Sequence, residues 1–299
     1  MDLQALWGLL LTGLMRGSVY ALMAVGLSLI FGVMNVPQFA HGEFYMLGAY
    51  VAYFTFHKFG LNPLLTIIVA ALSGFLAGAL MEKAVLFPLH RRQKEQWVMN
   101  TFLLTVGISF VMQNGAQALW GSNYLGITHY WQGSIQLTKD MAIPFDRAIS
   151  FIIAIVAILA FWLFLGRTRM GRAIRAAAQD ETGAMLVGID LDRVRTLTFA
   201  LGAMLAAIAG ASLLSMNPAH PTMGREPLYK SWVVVIVGGL GNIGAAIPAG
   251  FLVGMLETLT SYFLGASWQN VVSLSIIIVI LLFKPNGIFA SEVKGIWER

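Results

Sequence analysis

The residues best suited to chemistry lie in a polar interruption between two apolar stretches, within FGVMNVPQFAHGEFYMLGAY (Phe31–Tyr50). It carries two amides, an imidazole and a carboxylate, groups that bind metals, move protons or contact polar solutes: Asn35, Gln38, His41 and Glu43. None of the 5 histidines has another four residues away, so a helical zinc site is not indicated. These groups either satisfy backbone atoms left open between two helices or face a translocation path.

Two further charges, Arg16 and Glu257, fall well inside predicted membrane spans. An unpaired charge at that depth costs a few kcal/mol or more, so each needs a partner. The sequence suggests an Arg16–Glu257 pair or a hydrogen-bonded Glu257 at a subunit interface. Alternatively, Arg16 receives the carboxylate of a passing solute. The first span is long enough to bend or break near Arg16-Gly17.

Several kinds of catalysis are poorly supported. The chain has no cysteine, which excludes disulfides and thiolate chemistry, and it contains no G-x-S-x-G serine motif. GGLGNIG (Gly238–Gly244) contains G-x-G-x-x-G, but it lies between membrane spans rather than after a strand. We interpret it as a break between two helices, with Asn242 beside the path. Without a G-x-x-x-x-G-K-[ST] motif, energy must come from another subunit or an ion gradient. An intramembrane hydrolase would lack an assembled catalytic set, and no cofactor or metal is expected.

The elements that must position these groups are membrane helices. Hydrophobic residues make up 58% of the 299 residues and charged residues only 11%, with a mean hydropathy of +0.75. We expect an all-α polytopic integral membrane protein with about eight or nine transmembrane helices, forming one domain over residues 1–299. The predicted spans are 4–34, 44–58, 62–82, 97–119, 148–166, 196–216, a short one at 229–241, 244–264 and 268–283. Small residues should mark helix contacts at Gly74/Gly78, Gly250/Gly254 and Gly202/Ala206/Gly210.

The charge distribution predicts the orientation. Most of the 19 Lys and Arg residues lie in Lys83–Lys94, Arg167–Arg195 and Lys284–Arg299. The positive-inside rule puts these segments in the cytoplasm of a bacterial inner-membrane protein, with loops 120–147 and 217–230 outside. The N-terminus is then periplasmic and the C-terminus cytoplasmic. The net charge of +5 is therefore explained by basic segments beside the membrane lipid, and no nucleic-acid partner is expected. This orientation also puts the Asn35–Glu43 turn near the cytoplasmic side, which favours a gate or a subunit contact.

The segment Arg167–Arg195 combines arginines with a run of helix formers from Arg172 to Gln179. One interpretation is a solvated loop that only fixes topology. The other is a short helix that enters a groove of a cytoplasmic partner, with small residues allowing close contact and arginines supplying charge.

PQFAHGEFYMLGAY, VVVIVGGLGNIGAAIPAG (Val233–Gly250) and KPNGIFA (Lys284–Ala290) together resemble the blocks of the branched-chain amino acid ABC transporter permease family. The chain differs from the usual pattern at Gln38, Pro248 and Arg16. Urea and short-amide permeases are close relatives with the same blocks. The resemblance implies an ABC-importer permease fold and no enzymatic activity. It also implies a paralogous permease subunit, two ABC ATPase subunits and a periplasmic solute-binding protein.

Under this resemblance, Arg167–Arg195 corresponds to the cytoplasmic coupling loop that contacts the ATPases. The coupling residues would be Gly171, Arg172, Arg175, Ala177, Ala178, Asp180, Glu181 and Gly188. The solute would be a branched-chain or related amino acid, with urea, short amides or other small organic acids as alternatives. A self-contained transporter driven by an ion gradient is the less favoured interpretation.

Overall fold

The computed structural model describes residues 3–92, 96–127, 130–131, 133–138 and 141–289. It is almost entirely helical, as the hydropathy predicts. The predicted positions of both chain ends, including most of the last basic segment, lie outside the described residues. The first half contains α1 Leu3–Met34, α2 His41–Phe59, α3 Pro63–Met81, a π-helical turn Glu82–Leu86, α4 Phe87–Arg92 and α5 Trp97–Trp120. The second half contains β1 Ser134–Thr138, β2 Met141–Pro144, α6 Phe145–Arg167, α7 Arg169–Gln179, α8 Glu181–Leu186, α9 Leu191–Ser212, α10 Arg225–Gly238, α11 Ile243–Phe263, a 3-10 turn Ala266–Trp268 and α12 Gln269–Phe283.

Each of the nine predicted spans corresponds to a helix. In the described part of the chain, seven helical stretches are long and apolar enough to cross a bilayer. The remaining two predicted spans are α2 and α10. At 14 residues, α10 is about 21 Å long, which is shorter than the hydrocarbon core. Of the predicted bend or break in the first span, the break is wrong, because α1 runs through Arg16-Gly17 without interruption. The bend stays a prediction.

The ends of the helices follow from local chemistry. Asn62, Thr168 and Asp190 accept backbone hydrogen bonds at the starts of α3, α7 and α9. The predicted break in GGLGNIG is confirmed between α10 and α11. Gly239 and Gly241 there adopt φ of 108° and 78°, values that glycine reaches without a Cβ clash.

The core is built from close helix contacts at small residues, as predicted. A Cβ added to Gly250 would lie 2.6 Å from the Cα of Ala21, and one added to Gly78 would lie 2.6 Å from the Cβ of Ala203. In lipid, where burial gives little driving force, such close van der Waals contact stabilises helix pairs. These contacts join α1 to α11 and α3 to α9, and α2 packs against both α3 and α9.

The connections fall on two opposite faces of the helices. On one face, Leu125 and Ala219 exchange backbone hydrogen bonds of 2.9 and 2.8 Å, which joins the two loops predicted to be periplasmic. Tyr130 anchors the same face to α3 by donating to the carbonyl of Pro63 at 3.3 Å, and burial raises its pKa to about 12. On the other face, Arg91 and Asp192 pair at 3.3 Å and connect the two basic segments. The predicted grouping of loops is therefore confirmed.

Candidate functional site

A cavity of about 770 Å³ opens on the face that carries the Leu125–Ala219 contact. Its wall is formed by α1 around Arg16, the start of α6 at Asp146 and Arg147, and the start of α10 at Arg225 and Glu226. Residues 213–223 close one side of it and contribute apolar and amide side chains. The cavity therefore combines charges of both signs with apolar surface, as a site for a small amphipathic solute requires.

A fully buried ion pair lies beside this cavity. Lys230, which lines the cavity, pairs with Glu257 of α11, and each side chain is only 1% exposed. The ammonium of Lys230 also donates to Asn270 at 2.9 Å, while Tyr20 of α1 donates to Glu257 at 2.8 Å. Ser273 of α12 donates to the same carboxylate at 2.6 Å. Four helices meet at this network.

The predicted Arg16–Glu257 pair is therefore wrong. Glu257 is satisfied by Lys230, Tyr20 and Ser273 instead. Arg16 lines the cavity, and its Nη1 atom is buried with no hydrogen-bond partner in the described structure. The sequence pattern places both Arg16 and Glu257 in membrane spans. It does not reveal that Lys230, on a third helix, lies nearer to Glu257 than Arg16 does.

The polar interruption after α1 enters the interior of the protein. Asn35 is exposed and ends α1 with φ of 53°, a left-handed conformation that asparagine tolerates. The chain then returns along α1, since the Nε2 of His41 lies 3.1 Å from the carbonyl of Met23, about 16 Å before the end of α1. The expected position of His41 near the cytoplasmic side is thus incorrect. Gln38 Oε1 accepts from the amide of Ala40 at 2.7 Å, which matches the predicted backbone-satisfying role.

Glu43 connects α2 to α5 and, through it, to the cavity. Its Oε1 accepts from Ser109 at 2.8 Å and from Gln113 at 2.7 Å, and Gln113 accepts from Arg225 at 2.8 Å. Glu43 is 1% exposed, and its Oε2 has no partner in the described structure. Asn242 has a simpler position, because its side chain caps α11 through the amide of Ala245 at 3.1 Å.

The predicted coupling helix is present as α7 and is followed by the short helix α8. The small residues of α7 face inward, however. Gly171 and Ala177 are buried with Ile174 against the protein's own helices, so the expectation that Ala177 enters a partner's groove is wrong. Ala178 is half-buried, and Glu181 pairs with Arg195. The outward positions are Arg172, Arg175, Asp180, Gly188 and an apolar tip of Met185, Leu186 and Val187.

Sequence reasoning missed Lys230, Tyr20, Asp146 and Arg225. The charge pattern assigns Lys230 to the outer loop, because it lies at the edge of a short predicted span. Its position directly ahead of SWVVVIVGG, a strongly apolar run, is the signal that could have placed it in the membrane. Tyr20 carries no such signal, because tyrosine is unremarkable in an apolar helix.

The packed membrane helices and the charged cavity define a polytopic transport permease. Residues 9–281 match the family model described as the branched-chain amino acid transport system / permease component, and the chain belongs to this family.

The chain is 31% identical over 287 residues to the high-affinity branched-chain amino acid transport system permease protein LivH of Salmonella typhimurium, covering 92% of each. It is 29% identical to the corresponding permease protein BraD of Pseudomonas aeruginosa, covering 93% of this chain and 94% of that one. It is 24% identical to the ribose import permease protein RbsC of Escherichia coli K12, covering 91% and 84%. No solved structure was found to match the chain.

Proposed function

We propose that the protein is the membrane-spanning permease subunit of a bacterial ABC importer for branched-chain or related amino acids. It works with a paralogous permease subunit, two separate ATPase subunits that hydrolyse ATP, and a periplasmic solute-binding protein. The LivH and BraD relatives, both named as branched-chain amino acid transport permeases, support the solute class. The solute moves through the cavity by alternating access, and no bond in it is made or broken.

The observation that carries this proposal is the outward surface of α7 and α8. Leu186 is 85% exposed and Val187 is 76% exposed, although α8 is too short to cross a membrane. Arg172 and Arg175 are also exposed on α7. An apolar tip beside cations is suited to dock on another protein with an apolar pocket and an acidic rim.

The inward surface of α7 supplies the mechanical link. Ile174 and its buried neighbours pack against α6, and α7 also contacts α1 and α9. Both helices also line the cavity, α1 near its middle through Arg16 and α6 at its start through Asp146. A shift of α7 on an ATPase is therefore passed along two rigid helices to the cavity wall.

Co-purification and uptake test the docking surface. We expect Leu186→Asp with Val187→Asp to abolish uptake and the recovery of ATPase subunits, because two charges enter an apolar contact, while the permease remains at its normal level. The matched control is Tyr124→Asp, since Tyr124 is 72% exposed on the opposite face. It should leave ATPase recovery unchanged. Normal uptake by the double variant would refute the ABC role and favour an ion-gradient-driven transporter.

The orientation is part of the same proposal, with α7 and α8 in the cytoplasm and β1 and β2 in the periplasm. Most of the basic residues of the loops lie on the face of α7. Single cysteines at Gln179 and Ser134 can be labelled with an impermeant thiol reagent on spheroplasts. Only the Ser134 position should react, and reaction at Gln179 alone would reverse the assignment.

A further inference from the structure

The charges around the cavity differ in whether they are already engaged. Lys230 is neutralised by Glu257, and Arg225 donates to Gln113. In contrast, Nη1 of Arg16 and Oδ1 of Asp146 are buried with no hydrogen-bond partner in the part of the chain that the structure describes. Both residues line the same cavity. Among the charged residues that line the cavity, Arg16 and Asp146 therefore each keep a buried polar atom that no described residue satisfies, whereas Arg147 and Glu226 are exposed.

Leaving such atoms unpaired is costly, and more so inside a membrane protein. Burying a charged group without its hydrogen bonds destabilises the folded state more than burying a neutral polar group does. Arg16 lies about 20 Å from the start of α1, within the predicted membrane span, and is half-buried where it lines the cavity. Ionisable residues retained at such a depth usually contact a substrate or another charge.

We propose that this cavity is a binding site of the permease for the charged backbone of an α-amino acid. The guanidinium of Arg16 holds the carboxylate and the carboxylate of Asp146 accepts from the ammonium group. A planar guanidinium matches a carboxylate with two parallel hydrogen bonds, which makes it selective for that group. The inference rests on the proposed transport function and adds a second selection step to it, within the membrane.

The apolar lining indicates what the site does not select. Four methionines from α1 and from residues 213–223 line the cavity: Met15, Met23, Met216 and Met223. Methionine is flexible and polarizable, so it adapts to side chains of different shape. The cavity should therefore require the charged backbone strictly and tolerate different aliphatic side chains.

Binding to the purified full-length chain in detergent, without a binding protein, tests the site. The probes are L-leucine, L-leucinamide, which lacks the carboxylate, and 4-methylpentanoate, which lacks the ammonium group. We expect leucine to bind at least about tenfold more tightly than either analogue, because each analogue loses one charge-assisted contact. Equal affinities for leucine and leucinamide, or no leucine binding, would overturn the proposal without requiring any mutation.

Variants then assign the contacts. Arg16→Gln should weaken leucine binding about 10- to 100-fold and leucinamide binding less than about twofold, while Arg16→Lys should recover part of the loss. Asp146→Asn should remove the preference for leucine over 4-methylpentanoate. The control is Lys58→Gln, an exposed cation on the same face of the protein that does not line the cavity, with less than about a threefold effect. Equal losses in Arg16→Gln and Lys58→Gln would indicate only a general positive field and contradict the site.

Failure of this site and failure of the proposed function give different results. If the chain binds leucine as described but recovers no ATPase subunits, the site stands and the ABC role falls. If uptake with the partner subunits is normal in Arg16→Gln and its leucine affinity is unchanged, the ABC role stands and the site falls.

Discussion

The two helices that meet α2 from different sides, α9 and α5, are attached in contrasting ways. Against α9 the backbones almost touch. A Cβ added to Gly210 would lie 1.9 Å from the carbonyl oxygen of Tyr45, and one added to Gly48 would lie 2.2 Å from that of Ala207. The hydrogen bonds of α2 with α5 run through the side chain of Glu43, and a Cβ added to Gly107 or Gly115 of α5 would meet nothing within 4 Å.

Helix α5 is held along its length by hydrogen bonds to residues on one of its faces, which are spaced by four or eight positions. Trp97 donates to the carbonyl of Met34 at 3.4 Å, Thr105 accepts from the amide of Phe39 at 3.3 Å, and Ser109 and Gln113 donate to Glu43. Its far end is also fixed by an aromatic stack, with the rings of Trp120 and Tyr50 centred 4.2 Å apart.

The contrast teaches which contacts give rigidity in a membrane. Hydrogen bonds between membrane helices average only about 0.6 kcal/mol, because the separated helices find other partners. Close backbone contact over several turns has no comparable substitute. We therefore expect α2 and α9 to move together, and α5 to be the helix that shifts at low cost.

The largest expected effect is at the α2–α9 contact. Gly210→Ala should eliminate correctly folded protein, because the added methyl has to displace a backbone carbonyl in a packed core. The matched change Gly107→Ala on α5 should be neutral or stabilise by up to about 1 kcal/mol, since the site is open and alanine favours helices. Gel filtration in detergent and thermal midpoints measure both. A normal midpoint for Gly210→Ala would remove the basis of the contrast.

An intermediate effect is expected where α10 is attached through the buried ion pair. Lys230→Met leaves Glu257 uncompensated and should destabilise the protein by about 3–5 kcal/mol. Adding Glu257→Leu should restore most of that loss, because the buried charge is gone. Arg91→Met is the control, as its pair with Asp192 is exposed and is worth no more than about 1 kcal/mol. A double variant as unstable as the single one would show that packing, rather than charge, dominates here.

The smallest effect is expected on α5 itself. Ser109→Ala should cost about 0.6 kcal/mol, since Glu43 keeps its bond to Gln113. Ser275→Ala serves as the control, because that hydroxyl bonds only to its own helix through Val271. The thermal midpoints of the two variants should differ slightly. A loss as large as that of Lys230→Met would mean that α5 is as firmly fixed as the core.

Much of the architecture could be predicted because it depends on local pattern. Hydropathy locates the spans, and small-residue spacing finds the Gly74/Gly78 and Gly250/Gly254 contacts. Glycine positions mark the break before α11. Charge asymmetry groups the loops correctly, although the orientation and the roles of the site residues stay predictions.

What failed depends on distant parts of the chain. Ala177 faces inward because of the way α7 packs against α6. Glu257 pairs with Lys230 because of where α10 begins. Neither of these arrangements leaves a periodic trace, because each depends on how one helix packs against other helices.

The extended segment between α1 and α2 has a consequence for hydrogen exchange. The amide of Phe39 is bonded to the side chain of Thr105 on α5, whereas the neighbouring amide of Ala40 is bonded locally to Gln38. When α5 moves away, the amide of Phe39 loses its acceptor and that of Ala40 does not. The ratio of the hydrogen-exchange rates of these two amides therefore reports how often α5 separates from α2. The two amides are adjacent, and the measurement needs no substitution in the chain.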